Sequence, residues 1–239
     1  MKSGKILRAM TRDGSARVLV TDATAIVERA RILHHLTPMS TLCLGELLTG
    51  TSLIGSMMSE KQESMTVGIR TAGEAGSLLA VSDYYGNVRG YAENPALAIR
   101  LEDTGAPDIG ATIGNGLFYV VHDTGNGQPM QGMIPAKSRG IAELFAAYFA
   151  ESEQIPTMCS LGVLFHEDGT VRAAGGVLIQ LLPSPAEETV DALERAAEGL
   201  SDVTGKLAAG ETPLTVIESL LRDIPYDLFD EITTDYLCT

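Results

Sequence analysis

The side chains best able to do covalent or metal chemistry in this 239-residue chain are three cysteines, Cys43, Cys159 and Cys238, and four histidines, His34, His35, His122 and His166. A thiol nucleophile needs a base within hydrogen-bond reach, and Cys159 beside His122 or His166 is a pairing that only the fold could assemble. The competing reading, a thiol packed as a small hydrophobe, suits Cys159 better. It suits Cys43 better still, because Cys43 lies on an apolar helical stretch. The histidines show no HExxH or other short metal-binding spacing. His166, followed by Glu167 and Asp168, falls in a hairpin turn where polar side chains are ordinary.

Two glycine-rich strings invite a phosphate-loop reading and fail on context. "GATIGNG", Gly110 to Gly116, leads into a strand, whereas a dinucleotide loop opens a helix. In "GLSDVTGKL" five residues separate Gly199 from Gly205 where a P-loop has four, and Leu207 stands where Ser or Thr would hold magnesium. That string reads as an inter-helix loop.

Charge narrows the partners. A net charge of −14 opposes nucleic acid and anionic lipid, both of which need a cationic face, and the lack of tryptophan weakens any base-stacking platform. No nucleic acid and no membrane partner is expected. The cysteines are too few and scattered for a disulfide framework, and Met1 to Thr11 is basic but lacks an apolar signal-like core, so a reducing, cytoplasmic setting is expected. Leu36 to Ser59 carries only one charge, Glu46. Its Thr, Ser and Gly content and its Leu42, Leu47, Ile54 and Met58 stripe predict a buried amphipathic helix, not a membrane span.

The elements that would position these groups follow from turn chemistry and periodicity. Lys5 to Met10 and Ala16 to Thr21 flank "RDGS" and predict a hairpin; Thr24 to His35 predicts a helix, and Thr37 caps another that opens at Pro38. Short β-type runs between Glu63 and Ala92 predict an antiparallel meander, and Asn94 to Thr112 an irregular surface excursion. Two strands around "TGNGQ", a helix from Gly140 to Glu153 and two strands around "EDGT" follow, with Gly175 and Gly176 allowing close backbone approach. The expected fold class is α+β: an antiparallel sheet core with packed helices, residues 1–183, followed by a helical linker region.

After Pro183 the composition changes. Ser184, Pro185 and Glu187 read as a capping-box start, with Val190, Leu193, Ala197 and Leu200 at helical spacing; a second short helix is expected from Pro213 to about Arg222. From Ser184 onward there are 13 acidic and 3 basic residues, so −10 of the −14 resides there. Such helices are too short to stand alone, so residues 184–235 are expected to dock their apolar faces on the core, and to lift at low free-energy cost.

Four strings, "ELLTGTSLIGSMM", "GNVRGYAENP", "SEQIPT" and "AAGGVLIQLLP", occur in series and together resemble the heat-shock protein 33 family, the 33-kDa chaperonins. The resemblance runs from about Val18 to Pro183 and more loosely to Cys238. It implies an ATP-independent, redox-regulated holdase that forms homodimers and binds unfolding client proteins, with no enzymatic turnover. It also implies a C-terminal zinc domain with four cysteines, C-x-C and then C-x-x-C. "DYLCT", Asp235 to Thr239, resembles the start of that domain, making residues 236–239 its stub and Cys238 the first zinc ligand.

In the family, zinc orders the small domain, at about 10 kcal/mol or more, and oxidation of its thiolates releases metal and linker together. With one of four ligands present, no zinc is expected in this chain, and client binding is expected to be insensitive to peroxide. The expectation is of a fragment whose linker still docks. Two other classes stay open at this point: a small cytoplasmic enzyme using Cys159 or the Gly110 to Gly116 loop, and a constitutive scaffold or binding protein.

Overall fold

The "RDGS" turn closes as its residues require. Gly14 takes φ 74°, and the Asp13 carboxylate accepts from the Ser15 amide and hydroxyl at 3.1 and 2.6 Å, so the side chain completes the turn. This hairpin, β1 (Gly4–Thr11) and β2 (Ala16–Asp22), lies within a computed structural model that describes residues 3–197 and 199–237, the Ser201 side chain excepted.

The chain continues through α1 (Thr24–His34), α2 (Pro38–Gly55), β3 (Ser64–Thr71), β4 (Ser77–Asp83), β5 (Val88–Ala92), α3 (Ile109–Ile113), β6 (Gly116–Asp123) and β7 (Met130–Pro135). Next come α4 (Ile141–Tyr148), which runs on as a π-turn over Phe149–Glu153, β8 (Thr157–Phe165) and β9 (Val171–Leu181). The acidic region supplies α5 (Glu187–Ala197), α6 (Val203–Ala208), α7 (Pro213–Leu220) and a last strand, β10 (Tyr226–Thr234). The architecture is α+β, built on two five-stranded antiparallel sheets ordered β10-β1-β2-β9-β8 and β5-β4-β3-β6-β7.

α2 runs between the two sheets, and this changes its expected character. Every residue from Met39 to Gly55 is buried, so the helix has no polar face and the Leu42–Met58 stripe was one side of an apolar cylinder. Gly50 admits the Phe145 ring where any Cβ would overlap it. Thr37 occupies the N-cap position with extended backbone, but its hydroxyl donates to the Leu97 carbonyl at 2.8 Å and makes no cap bond to the helix. Among the described residues no helix is long and apolar enough to cross a membrane.

The region expected to be purely helical is mixed. A third helix, α6, fills the glycine-containing stretch expected as a loop, and β10 returns to pair with β1. Ser184 does not cap α5. It turns through φ 59°, and the start of α5 is instead tied to the β1–β2 turn, the Ala186 amide donating to Ser15 Oγ at 2.9 Å and Thr189 Oγ1 to Asp13 at 2.7 Å.

Candidate functional site

The strands around β2 alternate, so each contributes to two separate cores. Ile6, Leu19 and Leu178 turn toward α2, while Leu7, Ala9, Val18, Val20, Val177 and Ile179 turn the other way and form a continuous apolar face. That outer face is covered by Leu193, Val203, Leu207, Val216, Ile217 and Leu220 from α5, α6 and α7. Without this cover it would be an exposed patch of the kind that binds other proteins or aggregates.

The cover is apolar in contact but sparsely fastened. Beyond the two bonds that tie α5 to the hairpin turn, Ser160 Oγ donates to the Leu200 carbonyl at 2.7 Å. α6 lies over β9 and β8, where Gly162 leaves room for Thr204 and Gly175 for Leu207. Of α5 only Leu193 is fully buried, so this helix is the least anchored. The Asp13 carboxyl, receiving bonds from Ser15 and Thr189, is held well below the usual carboxylate range.

β10 brings the acid back onto cations. Lys5 pairs with Glu231 at 2.7 Å, Arg8 with Asp230 in a fork at 2.7 and 2.6 Å, and Arg12 with Asp227 at 3.0 Å. Arg8 also donates to the Ser56 carbonyl at the end of α2, at 2.6 Å. The sequence reading missed this strand, although the cations of β1 and the "YDLFDEITT" run after Pro225 were the available signal. Beyond β10, Tyr236 is buried against α1 and β5, and the Leu237 amide donates to Val88 at 2.9 Å.

The chemistry-bearing residues separate accordingly. Cys238 lies outside the described residues, two positions past the Tyr236 anchor. Cys43 on α2 and Cys159 on β8 both pack in the inter-sheet core with the buried Glu46 nearby; burial first, then Glu46, pushes the Cys43 thiol up to about 12 and raises Cys159 as well. His122 instead bonds Glu63 at 3.0 Å, and His166 sits in the β8–β9 turn, so neither acts as a base for Cys159.

The Gly110–Gly116 string forms the short α3 and enters β6. Its interior is occupied by backbone: Ser138 donates to Gly114 at 3.0 Å, and a Cβ on Gly110 or Gly116 would overlap the Ser138 or Arg70 carbonyl. Gly199 to Gly205 is itself the α5–α6 connection, a 3-10 turn over Leu200–Asp202 that runs into the first turn of α6, and it forms no P-loop. Among the described residues no group of three or more His, Cys, Asp or Glu could hold a metal ion. Among the described residues Cys43 is buried in the inter-sheet core and Cys159 packs against it, and the two do not make a four-thiolate zinc site.

A family profile described as Hsp33 protein matches residues 4–239. The 33 kDa chaperonins of Lachnoclostridium phytofermentans and Agathobacter rectalis are each 36% identical, over 98% and 99% of this chain and 80% and 82% of their own. The crystal structure of the 33 kDa chaperonin from Thermotoga maritima matches with a TM-score of 0.90 at 33% identity, covering 99% of this chain and 80% of that one. With the profile spanning nearly every residue and the solved relative matching 99% of the chain, the chain belongs to the Hsp33 family of chaperones.

Proposed function

We propose that this chain is an ATP-independent holdase that works in the cytoplasm, and that its client surface is the outer face of the β10-β1-β2-β9-β8 sheet, uncovered when α5, α6 and α7 lift. One observation carries the reading: a continuous apolar sheet face is covered by three short helices of a net acidic region, which few hydrogen bonds fasten among the described residues. Lifting them exposes apolar area worth about 25 cal/mol per Å² to an unfolding client, while the acidic region after Pro183 keeps the opened form soluble by self-repulsion. Binding and release suffice, and no residue is asked to turn over a substrate. Opening of the cover is driven by heat or by the client itself.

A cross-link tests this directly. A Cβ built on Gly162 comes 3.3 Å from Thr204 Cβ, close to disulfide range. Gly162→Cys with Thr204→Cys therefore locks α6 onto β8 when oxidised. The locked protein is expected to lose protection of a heat-unfolding client in light scattering and to regain it with dithiothreitol. Equal protection in both states would refute the reading and favour a constitutive binding surface elsewhere.

A further inference from the structure

A second sulfur chemistry is laid out on the other sheet. A cavity of about 190 Å³ opens where the inner face of β3, β6 and β7 meets the end of α2 and the π-turn, and Met57, Met58, Met65 and Met130 stand on its wall with Phe149 and His122. Four of the chain's nine methionines thus line one small opening. Their access is graded: Met130 is 60% exposed, Met57 and Met65 are half-buried, and Met58, 6% exposed, faces the cavity. The cavity admits molecules the size of water, so hydrogen peroxide can reach the deeper thioethers. The Cys43 thiol, fully buried in the core, has no such access.

We propose that this cluster is a modification site at which hydroperoxides convert methionine to methionine sulfoxide, and that the product opens the junction between α2 and the β5-β4-β3-β6-β7 sheet. The thioether lone pair attacks one peroxide oxygen, an S–O bond forms as the O–O bond breaks, and the departing hydroxide takes the proton of the transferred hydroxyl to leave as water. Sulfur gives up two electrons and peroxide accepts them.

The sulfoxide is polar and needs a donor. The polar groups on the cavity wall are already engaged: His122 Nε2 lies 3.0 Å from Glu63, and the Tyr148 hydroxyl donates to Glu153 at 2.6 Å. An added oxygen is therefore better satisfied by water than by the wall, which favours separation of Met57 and Phe149 from Met65 and Val120. Met133, 53% exposed on the opposite face of the same sheet, oxidises without this consequence.

The test uses the 239-residue chain with Cys238→Ser, hydrogen peroxide, peptide mass mapping and the fluorescence of an apolar dye. Oxygen addition is expected at Met130, Met57, Met65 and then Met58, with Met39, 1% exposed and away from the cavity, left intact. Dye fluorescence should rise severalfold, fall again with methionine sulfoxide reductases A and B, and ignore dithiothreitol. Met133→Leu should respond as the parent does, and Met57→Leu/Met65→Leu/Met130→Leu should not. Oxidation at Met133 while the cluster stays reduced, cluster oxidation with unchanged dye binding, or a full response from the triple variant would each overturn the proposal. Should the triple variant not fold, the mapping and the reductase reversal on the parent decide it alone.

Discussion

The Tyr236 hydroxyl lies 2.7 Å from His34 Nε2 and bonds both backbone groups of Gly90, donating to its carbonyl at 2.9 Å and accepting from its amide at 3.2 Å. A phenol has one proton, so donation to Gly90 leaves His34 Nε2 as the donor in the other contact. One side chain thereby ties the segment after β10 to α1 and to β5, joining the two sheets at the point where the chain approaches Cys238.

Removing that hydroxyl strands the half-buried amide and carbonyl of Gly90. Tyr236→Phe is expected to cost about 1–3 kcal/mol in urea unfolding and Tyr236→Ala about 3–5 kcal/mol. Amide exchange should speed up first at Val88 and Leu237, whose bonds run along this segment. Unchanged exchange there would show that the anchor is redundant.

The contrast between Tyr236 and β10 explains what could be read in advance. The hairpin, the meander and the helices of the core announce themselves through "RDGS", "TAGEAG" and apolar spacing, all local signals. β10 does not: its exposed Leu228 and Phe229 break the alternation of a half-buried strand, and its register is set by Lys5, Arg8 and Arg12, more than two hundred residues earlier. α2 was legible as buried, but being enclosed on all sides is a property of two sheets that periodicity in one segment cannot express. Short amphipathic helices after Pro183 imply a need to dock, but nothing in their spacing names the sheet face they cover. The methionine cluster was not, because its members come from α2's end, β3 and β7 and share only a place in the fold.

The ion pairs between β1 and β10 should act as a salt-sensitive zipper. Their side chains are largely solvent-exposed, so each contributes at most about 1 kcal/mol. Asp227→Asn with Asp230→Asn and Glu231→Gln should lower the unfolding midpoint at low salt, with most of the difference gone near 1 M. An equal deficit at both salt levels would assign the loss to packing instead of charge.

Asp13 gives the acidic cover a pH dependence. Its pKa in the folded chain is depressed, chiefly by the bond from Ser15 and further by Thr189, so its contribution is complete above the unfolded value of 3.8 and lost as pH falls through the folded value. Acid should therefore free the start of α5. At neutral pH Asp13→Ala should speed proteolysis between residues 184 and 197 severalfold, whereas the parent becomes equally labile only in strong acid. Matching cleavage rates at neutral pH would show that the apolar contacts alone seat α5.

Glu46 contributes with the opposite sign. It lies in the middle of α2, with Cys43 on the same helix and Cys159 on β8 as the titratable neighbours, and burial pushes its carboxyl up to about 8. Because the unfolded chain ionises near 4.5 and the folded chain does not, the native state holds the extra proton between those values. Stability must then fall as pH rises through that window and level off above it. Glu46→Gln keeps the shape and removes the proton, so the variant should match the parent near pH 4 and exceed it by up to about 3 kcal/mol at pH 7. Urea unfolding at several pH values reads both curves. Parallel curves for parent and variant would mean that Glu46 is ionised in the fold and stabilised there by water or a charge within reach, and that its place between two protonated thiols is not a neutral one.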